Sequence, residues 1–259
     1  MKTLESFALN NDDNNAVGLK LINGTDATNT PETHDNIAST TVDDYQDQSQ
    51  SIPDEDVIPE RMFTDPQVVG YPDFQMQIDT YNLALKGNLP IVGPLTITEV
   101  GAKRGDIARY ITETLPLVNL TYIGYEPNDL LVAVSNEIFK RENISETSQV
   151  IHADYLTIDE VATSDVTLVV SNLIYSNQMT DGTKWIYFEK LLKKVIPHTL
   201  ESVILVLLHD NGGDDNYISY PVPNMTDLLL RFNHPFKIDM GRLPDMYTVI
   251  IDTKTKRFI

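Results

Sequence analysis

Two glycines and several charged residues follow the first strong strand of this chain, in the run Glu99-Val-Gly101-Ala-Lys-Arg-Gly105. Glycines four residues apart between a strand and a helix allow a tight turn and the close approach of a ligand to the main chain. A dinucleotide-binding loop would need glycine at positions 103 and 106, but Lys103 and Asp106 stand there, so NAD binding is disfavoured. A Walker loop is excluded as well, because no Gly-Lys-Ser/Thr follows the turn.

Polar residues also stand where the later strands of the chain end. Glu126 ends the second strand, 21 residues after the second of these glycines, where an acid can accept hydrogen bonds from both hydroxyls of a ribose. Asp154 and Tyr155 follow the third strand and offer a carboxylate and a ring to an adenine. The fourth and fifth strands end in the runs Ser171-Asn172-Leu-Ile-Tyr175 and His209-Asp-Asn-Gly-Gly213. Because ligands of an open α/β sheet bind beyond the carboxyl ends of its strands, we expect these groups to converge on one crevice.

The elements that must position these residues alternate between strands and helices. Apolar runs predict strands over residues 96–100, 121–125, 149–152, 166–170 and 202–208. Helical periodicity predicts helices over residues 106–115, 129–141, 183–195 and 225–232. Asn128 is the predicted N-cap of the helix over residues 129–141. Two final strands are predicted over residues 236–239 and 247–251. The linker between them is too short for a helical crossover, so these strands should be antiparallel neighbours. The predicted fold class is α/β, a doubly wound, mostly parallel seven-stranded sheet with a C-terminal antiparallel hairpin.

A further helix is predicted before the first strand, over residues 73–86. Phe74, Ile78, Tyr81 and Leu85 recur at spacings of four, three and four residues, which is typical of a helix face that packs on a core. Gly87 follows as a stop signal.

Net charge divides the chain into two parts. The chain has 259 residues, with 19 Lys and Arg against 38 Asp and Glu, and a formal charge of −19. Residues 1–66 hold 14 acidic and 3 basic residues, or −11, which leaves −8 for the rest. The first part is poor in apolar residues, so we expect residues 1–58 to form a disordered acidic tail that either solvates the protein or docks a partner with a basic surface. Residues 59–259 should then form one domain, with a helical lead-in over 60–95 and a core over 96–253.

Composition excludes several other classes of protein and site. The absence of cysteine excludes disulfides, thiolate zinc sites and cysteine nucleophiles, and the scattered histidines show no metal-ligand spacing. No apolar run approaches the roughly 18 residues that a membrane span needs. The N-terminus lacks the apolar stretch of a secretory signal, so the sequence predicts a cytoplasmic protein without a membrane segment or a metal.

Taken together, residues 96–253 resemble the class I S-adenosylmethionine-dependent methyltransferases, a Rossmann-like family. The run from Glu99 to Gly105 is similar to the acidic-x-Gly-x-Gly-x-Gly motif of that family, with Lys103 in place of the middle glycine. The closing antiparallel hairpin is characteristic of the same family. We expect the charged pair Lys103-Arg104 to lie in a solvated loop. The resemblance implies S-adenosylmethionine as the cofactor, and the residues that would bind it are Glu99, Gly101, Ala102, Gly105, Glu126, Pro127, Asp154, Tyr155 and Asn172.

Individual roles come with that resemblance. The loop from Gly101 to Gly105 would wrap the methionine moiety, and Glu126 would bind the ribose. Asp154 would contact the adenine amine, and Asn172 would begin the loop that faces the substrate.

Catalysis by such an enzyme needs little protein chemistry, because the sulfonium is already activated. The enzyme must hold the acceptor, the methyl carbon and the sulfur in line. A base is required only for an acceptor that is protonated at the working pH, and His209 is the best candidate by residue type. Asn172, Tyr175 and Tyr217 could instead orient the acceptor.

Charge and motif content bear on the acceptor. The charge of −8 outside the first 66 residues disfavours nucleic acid, which binds basic surfaces. The fourth strand ends in Ser-Asn-Leu-Ile-Tyr and not in the Asn/Asp-Pro-Pro-Tyr/Phe signature of methylation on base amino groups. A small molecule or a protein is therefore slightly favoured as acceptor. Two alternatives stay open: a non-catalytic methyltransferase-like subunit that binds or regulates within a larger complex, and another nucleotide-binding Rossmann-like enzyme.

Overall fold

The computed structural model describes residues 58–170, 181–209, 218–240, 243 and 245–255. The predicted acidic tail, apart from Ile58, lies outside the described residues, and so do Asn172, Tyr175 and Tyr217. Within the described ranges, no helix has the length and apolar character that a membrane crossing requires.

Seven strands form one sheet in the order β3-β2-β1-β4-β5-β7-β6. Their bounds are β1 Gly93–Val100, β2 Val118–Glu126, β3 Ser148–His152, β4 Ser164–Val169, β5 Thr199–Leu208, β6 Phe236–Asp239 and β7 Met246–Asp252. The first five strands are parallel, and β7 runs antiparallel to both β5 and β6. The predicted α/β fold class and the closing antiparallel pair are confirmed. The sequence did not indicate that β7 would insert between β5 and β6.

Helices connect and cover these strands. Their bounds are α1 Arg61–Thr64, α2 Phe74–Leu85, α3 Asp106–Thr114, α4 Asp129–Arg141, α5 Asp181–Val195 and α6 Val222–Leu229, with 3-10 turns at Pro66–Val69 and Ile196–His198. Asn128 is the N-cap of α4, because its side-chain oxygen accepts the main-chain N–H of Leu131 at 3.1 Å. This prediction is also confirmed.

Strand β5 shows how the sheet is buried on both faces. Ile204 and Val206 enter one hydrophobic cluster, which also contains residues of α2, α3 and α4. Val203 and Leu205, which point to the opposite face, enter a second cluster with residues of α5 and α6. Helices on both faces explain why the central strands are nearly continuous apolar runs.

Helix α2 forms where it was predicted, but only Tyr81 and Leu85 of its predicted apolar face are buried. Phe74 and Ile78 are 55% and 39% exposed, whereas Gln77 and Thr80 are buried together with the two predicted residues of the last turns. The polar side chains can be buried because they are paired: Gln77 Nε2 donates to Asp106 Oδ2 at 3.0 Å, and Thr80 Oγ1 donates to the carbonyl oxygen of Met76 at 2.7 Å. The helix therefore packs partly on a polar cluster, which apolar periodicity does not detect.

Candidate functional site

The winding of the sheet reverses between β1 and β4. From β1 the chain proceeds outward to β2 and β3, and from β4 it proceeds in the other direction to β5. In open α/β sheets this reversal opens a crevice at the carboxyl ends of the strands, where ligands bind. Glu126 ends the strand next to β1, whereas Asp154 and His209 follow strands two places away on either side, at about 10 Å by strand spacing.

The loop after β1 adopts a left-handed backbone at three alternate positions. The φ angles of Gly101, Lys103 and Gly105 are 70°, 53° and 68°. These are the three glycine positions of the acidic-x-Gly-x-Gly-x-Gly pattern, so the backbone at position 103 has the conformation that favours glycine although lysine stands there. A non-glycine residue in this region costs about 1 kcal/mol. The loop is fixed to β2, because the N–H groups of Gly101 and Ala102 both donate to the carbonyl oxygen of Tyr125, at 2.8 and 3.1 Å.

Glu126 connects this loop to the start of α4. Its Oε2 accepts the N–H of Lys103 at 2.9 Å, and its Oε1 accepts the N–H of Asn128 at 3.1 Å. The side chain is only 3% exposed. An ionised carboxylate has about four acceptor positions, so two main-chain contacts leave capacity for the hydroxyl donors of a ribose. The remaining acceptor positions of Glu126 therefore fit the hydroxyl donors of the nucleoside part of S-adenosylmethionine.

Glu99 is held below the loop, in the core. Its Oε2 accepts the hydroxyl of Tyr122 at 2.5 Å, and the side chain is 2% exposed. Burial raises the pKa of Glu99 from 4.5 to about 8, and the hydrogen bond from Tyr122 opposes this rise only in part. The nearby carboxylates of Asp106 and Glu126 raise it further. At neutral pH this carboxyl is mainly protonated, so it supports the loop from below as a neutral group.

Replacing Glu99 by Gln should change how stability depends on pH. The folded protein, with its raised pKa, binds more protons than the unfolded chain between pH 4.5 and about 8. The stability that Glu99 contributes is therefore fully present below pH 4.5 and is lost as the pH rises to about 8. One pKa unit corresponds to about 1.4 kcal/mol, so we expect Glu99→Gln to exceed wild type in free energy of unfolding by about 2–4 kcal/mol at pH 9, and to match it near pH 5.

Denaturant unfolding across this pH range checks the expectation. The exposed Glu113 provides a control, since Glu113→Gln replaces an acid at the surface and should leave the stability curve close to that of the wild type. Parallel stability curves for Glu99→Gln and wild type would contradict the placement of a buried, protonated carboxyl here.

Of the two predicted site residues after β3, Asp154 is exposed and Tyr155 is buried. Asp154 is exposed, and its Oδ1 accepts the N–H of Leu156 at 2.9 Å, which closes a turn. Tyr155 lies in the second core cluster, with its ring packed edge-on against Tyr125 at 5.2 Å. The carboxylate is thus exposed at the carboxyl end of β3, while the ring is buried in the core and does not present a face for adenine.

Pro127 and His209 lie on the surface at the same edge of the sheet. Pro127 directly follows β2, and its carbonyl oxygen is 2.9 Å from Nε2 of His152. His209 directly follows β5, and its main-chain N–H donates to the carbonyl oxygen of Asp245 at 2.8 Å. The other two proposed catalytic residues, Asn172 and Tyr175, lie outside the described residues, so their distance from His209 is not given by the structure.

The expectation that Arg104 is solvated is wrong. Arg104 is 1% exposed, and its guanidinium binds the carboxylate of Asp106 through Nε and Nη2, at distances down to 2.8 Å. Its Nη1 donates to the carbonyl oxygens of Met62 and Asp65, both at 3.0 Å. Those two acceptors lie about 40 residues earlier in the chain. Apart from Asp106, two positions after the arginine, no nearby residue indicates that Arg104 is buried.

Metal ligands do not gather anywhere in the described part of the chain. No group of three or more His, Asp or Glu side chains there is arranged to hold a metal ion. The described strand ends at this edge of the sheet present carboxylates, main-chain amides and the exposed imidazoles of His152 and His209.

The architecture that carries this loop is found in solved structures. The mitomycin 7-O-methyltransferase MmcR matches 74% of this chain and 59% of its own length, with a TM-score of 0.54 and 11% identity. The S-adenosylmethionine-dependent methyltransferase SibL matches 70% and 55%, with a TM-score of 0.52 and 13% identity. The pyocyanin biosynthetic protein PhzM matches 68% and 54%, with a TM-score of 0.50 and 12% identity. This chain has the Rossmann-like fold of the class I methyltransferases.

The methyltransferase fold is shared here without close sequence similarity. No protein-family model and no curated protein matches the chain. The chain spans between 54% and 59% of the length of the three solved proteins above. Similarity at 11–13% identity concerns the methyltransferase fold, so the chemistry has to be argued from the residues of the loop and the strand ends.

Proposed function

We propose that the protein is an S-adenosylmethionine-dependent methyltransferase. The observation that carries the proposal is the loop after β1, in which all three glycine positions of the motif have positive φ, together with Glu126, which accepts an amide of that loop. A dinucleotide enzyme would use its helix N-terminus for a pyrophosphate, but α3 begins with Asp106, whose carboxylate is engaged by Arg104. A cofactor with a nucleoside and without phosphate fits this end of the sheet better.

The protein residues in this proposal bind and orient. S-adenosylmethionine, when bound, supplies an activated methyl group. Glu126 accepts hydrogen bonds from the ribose, and the exposed carboxylate of Asp154 accepts one from the adenine amine. The main chain from Gly101 to Gly105 lies along the methionine moiety, and Pro127 lies at the edge of the nucleoside site. Tyr155 acts through packing, because it holds Tyr125 and thereby the strand from which Glu126 extends.

A small molecule is the proposed acceptor class. The described strand ends present carboxylates, and the chain outside the first 66 residues carries −8, a charge that opposes a nucleic-acid phosphate backbone. MmcR is a mitomycin 7-O-methyltransferase by name, so the same fold serves a small-molecule hydroxyl group there. His209, exposed at the end of β5, would accept the proton of such a hydroxyl as the carbon–oxygen bond forms and the carbon–sulfur bond breaks.

A second candidate function, a non-catalytic subunit that binds the cofactor or a protein, is favoured by one observation. Lys103 occupies a left-handed position where the methyltransferase motif has glycine, and its side chain has to be accommodated beside the cofactor. A lysine side chain at this position would then allow the cofactor to bind without methyl transfer.

Turnover distinguishes the two candidates. Incubation with methyl-labelled S-adenosylmethionine and a library of phenols, hydroxyquinones, carboxylic acids and amines should give S-adenosylhomocysteine in an acceptor-dependent manner. We expect His209→Asn to lower kcat for a hydroxyl acceptor by about 100-fold while cofactor affinity is kept. Cofactor binding without product for any acceptor supports the non-catalytic subunit, and absence of cofactor binding contradicts both candidates.

A further inference from the structure

The segment before α2 is anchored to the domain at several points. Residues 61–71, which include α1 and the following 3-10 turn, form the first part of the predicted helical lead-in over 60–95. From here on, the name lead-in segment refers to residues 61–71 alone. Phe63, Val69 and Tyr71 are buried in the first core cluster. The guanidinium of Arg141, on α4, lies 4.2 Å from the ring centre of Phe63. The lead-in segment is therefore packed against the same face of the sheet as α3 and α4.

Arg104 joins the lead-in segment to the loop after β1. Its main chain belongs to the loop, between Lys103, whose N–H is held by Glu126, and Gly105, whose N–H donates to the carbonyl of Ala102 at 2.8 Å. Its side chain extends to the C-terminal end of α1 and donates to two carbonyl oxygens of the lead-in segment. Met62 lies in α1, where last-turn carbonyls have no partner within the helix and a guanidinium satisfies them well, whereas the carbonyl of Asp65 also accepts the N–H of Val68 at 3.3 Å.

The position of the guanidinium is determined from both sides. Asp106 holds it through a forked pair of hydrogen bonds, and Gln77 and Arg109 bind the same carboxylate at 3.0 and 3.4 Å. A buried guanidinium whose partners are removed is costly, so displacement of the lead-in carbonyls would force Arg104 to move. Because Arg104 is one residue from Lys103, such a movement would reach the amide that Glu126 holds.

We propose that Arg104 is a positioning residue through which the lead-in segment sets the geometry of the cofactor loop. The inference rests on the proposed function, since it takes the Gly101–Gly105 loop as the cofactor site. Coupling of this kind is reciprocal, so cofactor binding strengthens the packing of the lead-in segment as well. Any partner that binds and displaces residues 61–71 then lowers cofactor affinity without touching the cofactor.

The test perturbs the two ends of the connection separately in the full-length protein. Arg104→Lys keeps the positive charge but loses the planar fork that reaches the carboxylate and both carbonyls together. Phe63→Ala loosens the lead-in segment without changing any residue of the loop, and Phe63→Leu is its conservative partner. Leu192→Ala, in the second core cluster on the other face of the sheet, is a destabilised control that leaves the lead-in segment and the first core cluster unchanged.

We expect Arg104→Lys and Phe63→Ala each to raise the Kd for S-adenosylhomocysteine by about tenfold in calorimetry below the unfolding range. Phe63→Leu should restore most of the affinity, and Leu192→Ala should change Kd by less than about twofold although it lowers Tm. An unchanged Kd in both Arg104→Lys and Phe63→Ala would overturn the proposal, since a merely structural role lowers Tm only.

Hydrogen exchange provides a readout that does not need the cofactor. The amides of Lys103 and Gly105 should exchange faster in Phe63→Ala than in Leu192→Ala at equal stability, because only the first variant loosens the loop. Equal exchange would overturn the coupling. If the wild-type protein does not bind S-adenosylhomocysteine, the proposed function fails, and this exchange comparison still decides whether the lead-in segment positions the loop.

Discussion

Glu126→Ala should lower the affinity for S-adenosylhomocysteine by about 100-fold or more. The substitution removes the acceptors of two main-chain N–H groups, those of Lys103 and Asn128, and the proposed acceptor of the ribose hydroxyls. A hydrogen bond to a charged group contributes about 1.5–3 kcal/mol, so the loss of the ribose contact and the loosening of the loop together correspond to about 3 kcal/mol. Glu126→Gln should have a smaller effect, because its amide oxygen can still accept one of these hydrogen bonds. The effect should still be measurable, because the amide nitrogen cannot accept the other.

Calorimetric titration of both variants measures this effect, and thermal unfolding shows whether they are folded. Glu201→Ala is the matched control, because Glu201 is a partly exposed acid that pairs with Lys254 at 2.7 Å near the other end of β5. It should leave the affinity unchanged. If Glu126→Ala binds within about threefold of wild type, the ribose assignment is wrong.

Gly105→Ala should destabilise the protein strongly. Gly105 has a φ of +68°, and an added Cβ would lie 2.5 Å from Cζ of Phe139. The ring of Phe139 is fully buried and packs edge-on against Tyr122 at 6.0 Å, so it has little freedom to move. Strain from the left-handed backbone costs about 1 kcal/mol and overpacking adds about 1–3 kcal/mol, so we expect a loss of about 3 kcal/mol in the free energy of unfolding.

Gly87 separates the two contributions. Its φ is +78°, but a Cβ there would meet nothing within 4 Å. Gly87→Ala should therefore lose only about 1 kcal/mol, the backbone cost alone. Denaturant unfolding of both variants gives the comparison, and Phe139→Leu added to Gly105→Ala should recover part of the difference. Equal losses at the two glycines would mean that the contact with Phe139 does not limit the loop.

The sheet was predictable because its signals are local. Each buried strand is a short apolar run, and each crossover helix has its own periodicity and start signal, such as Asn128. The carboxyl ends of parallel strands lie at one edge by topology, so Glu126 and Asp154 could be assigned to one side of the sheet before the structure was known. The antiparallel relation of β6 and β7 followed from the shortness of their connection.

The features that sequence analysis missed depend on distant partners. Arg104 is buried because carbonyl oxygens of Met62 and Asp65 reach it, and no local pattern encodes that contact. Burial under the loop raises the pKa of Glu99 to about 8, although a strand-end acid in isolation indicates a charged ligand group. The prediction for the buried face of α2 was wrong at Phe74 and Ile78 for the same reason, since Gln77 is buried by its hydrogen bond to Asp106.

Calorimetric titration of the full-length protein with S-adenosylhomocysteine, and separately with NAD, tests the central claim most directly. The geometry of the Gly101–Gly105 loop and of Glu126 predicts binding of S-adenosylhomocysteine with a Kd in the micromolar range, about −8 kcal/mol, and no detectable binding of NAD. Absence of heat with S-adenosylhomocysteine, or tighter binding of NAD, would contradict the assignment of this crevice as a methyltransferase cofactor site.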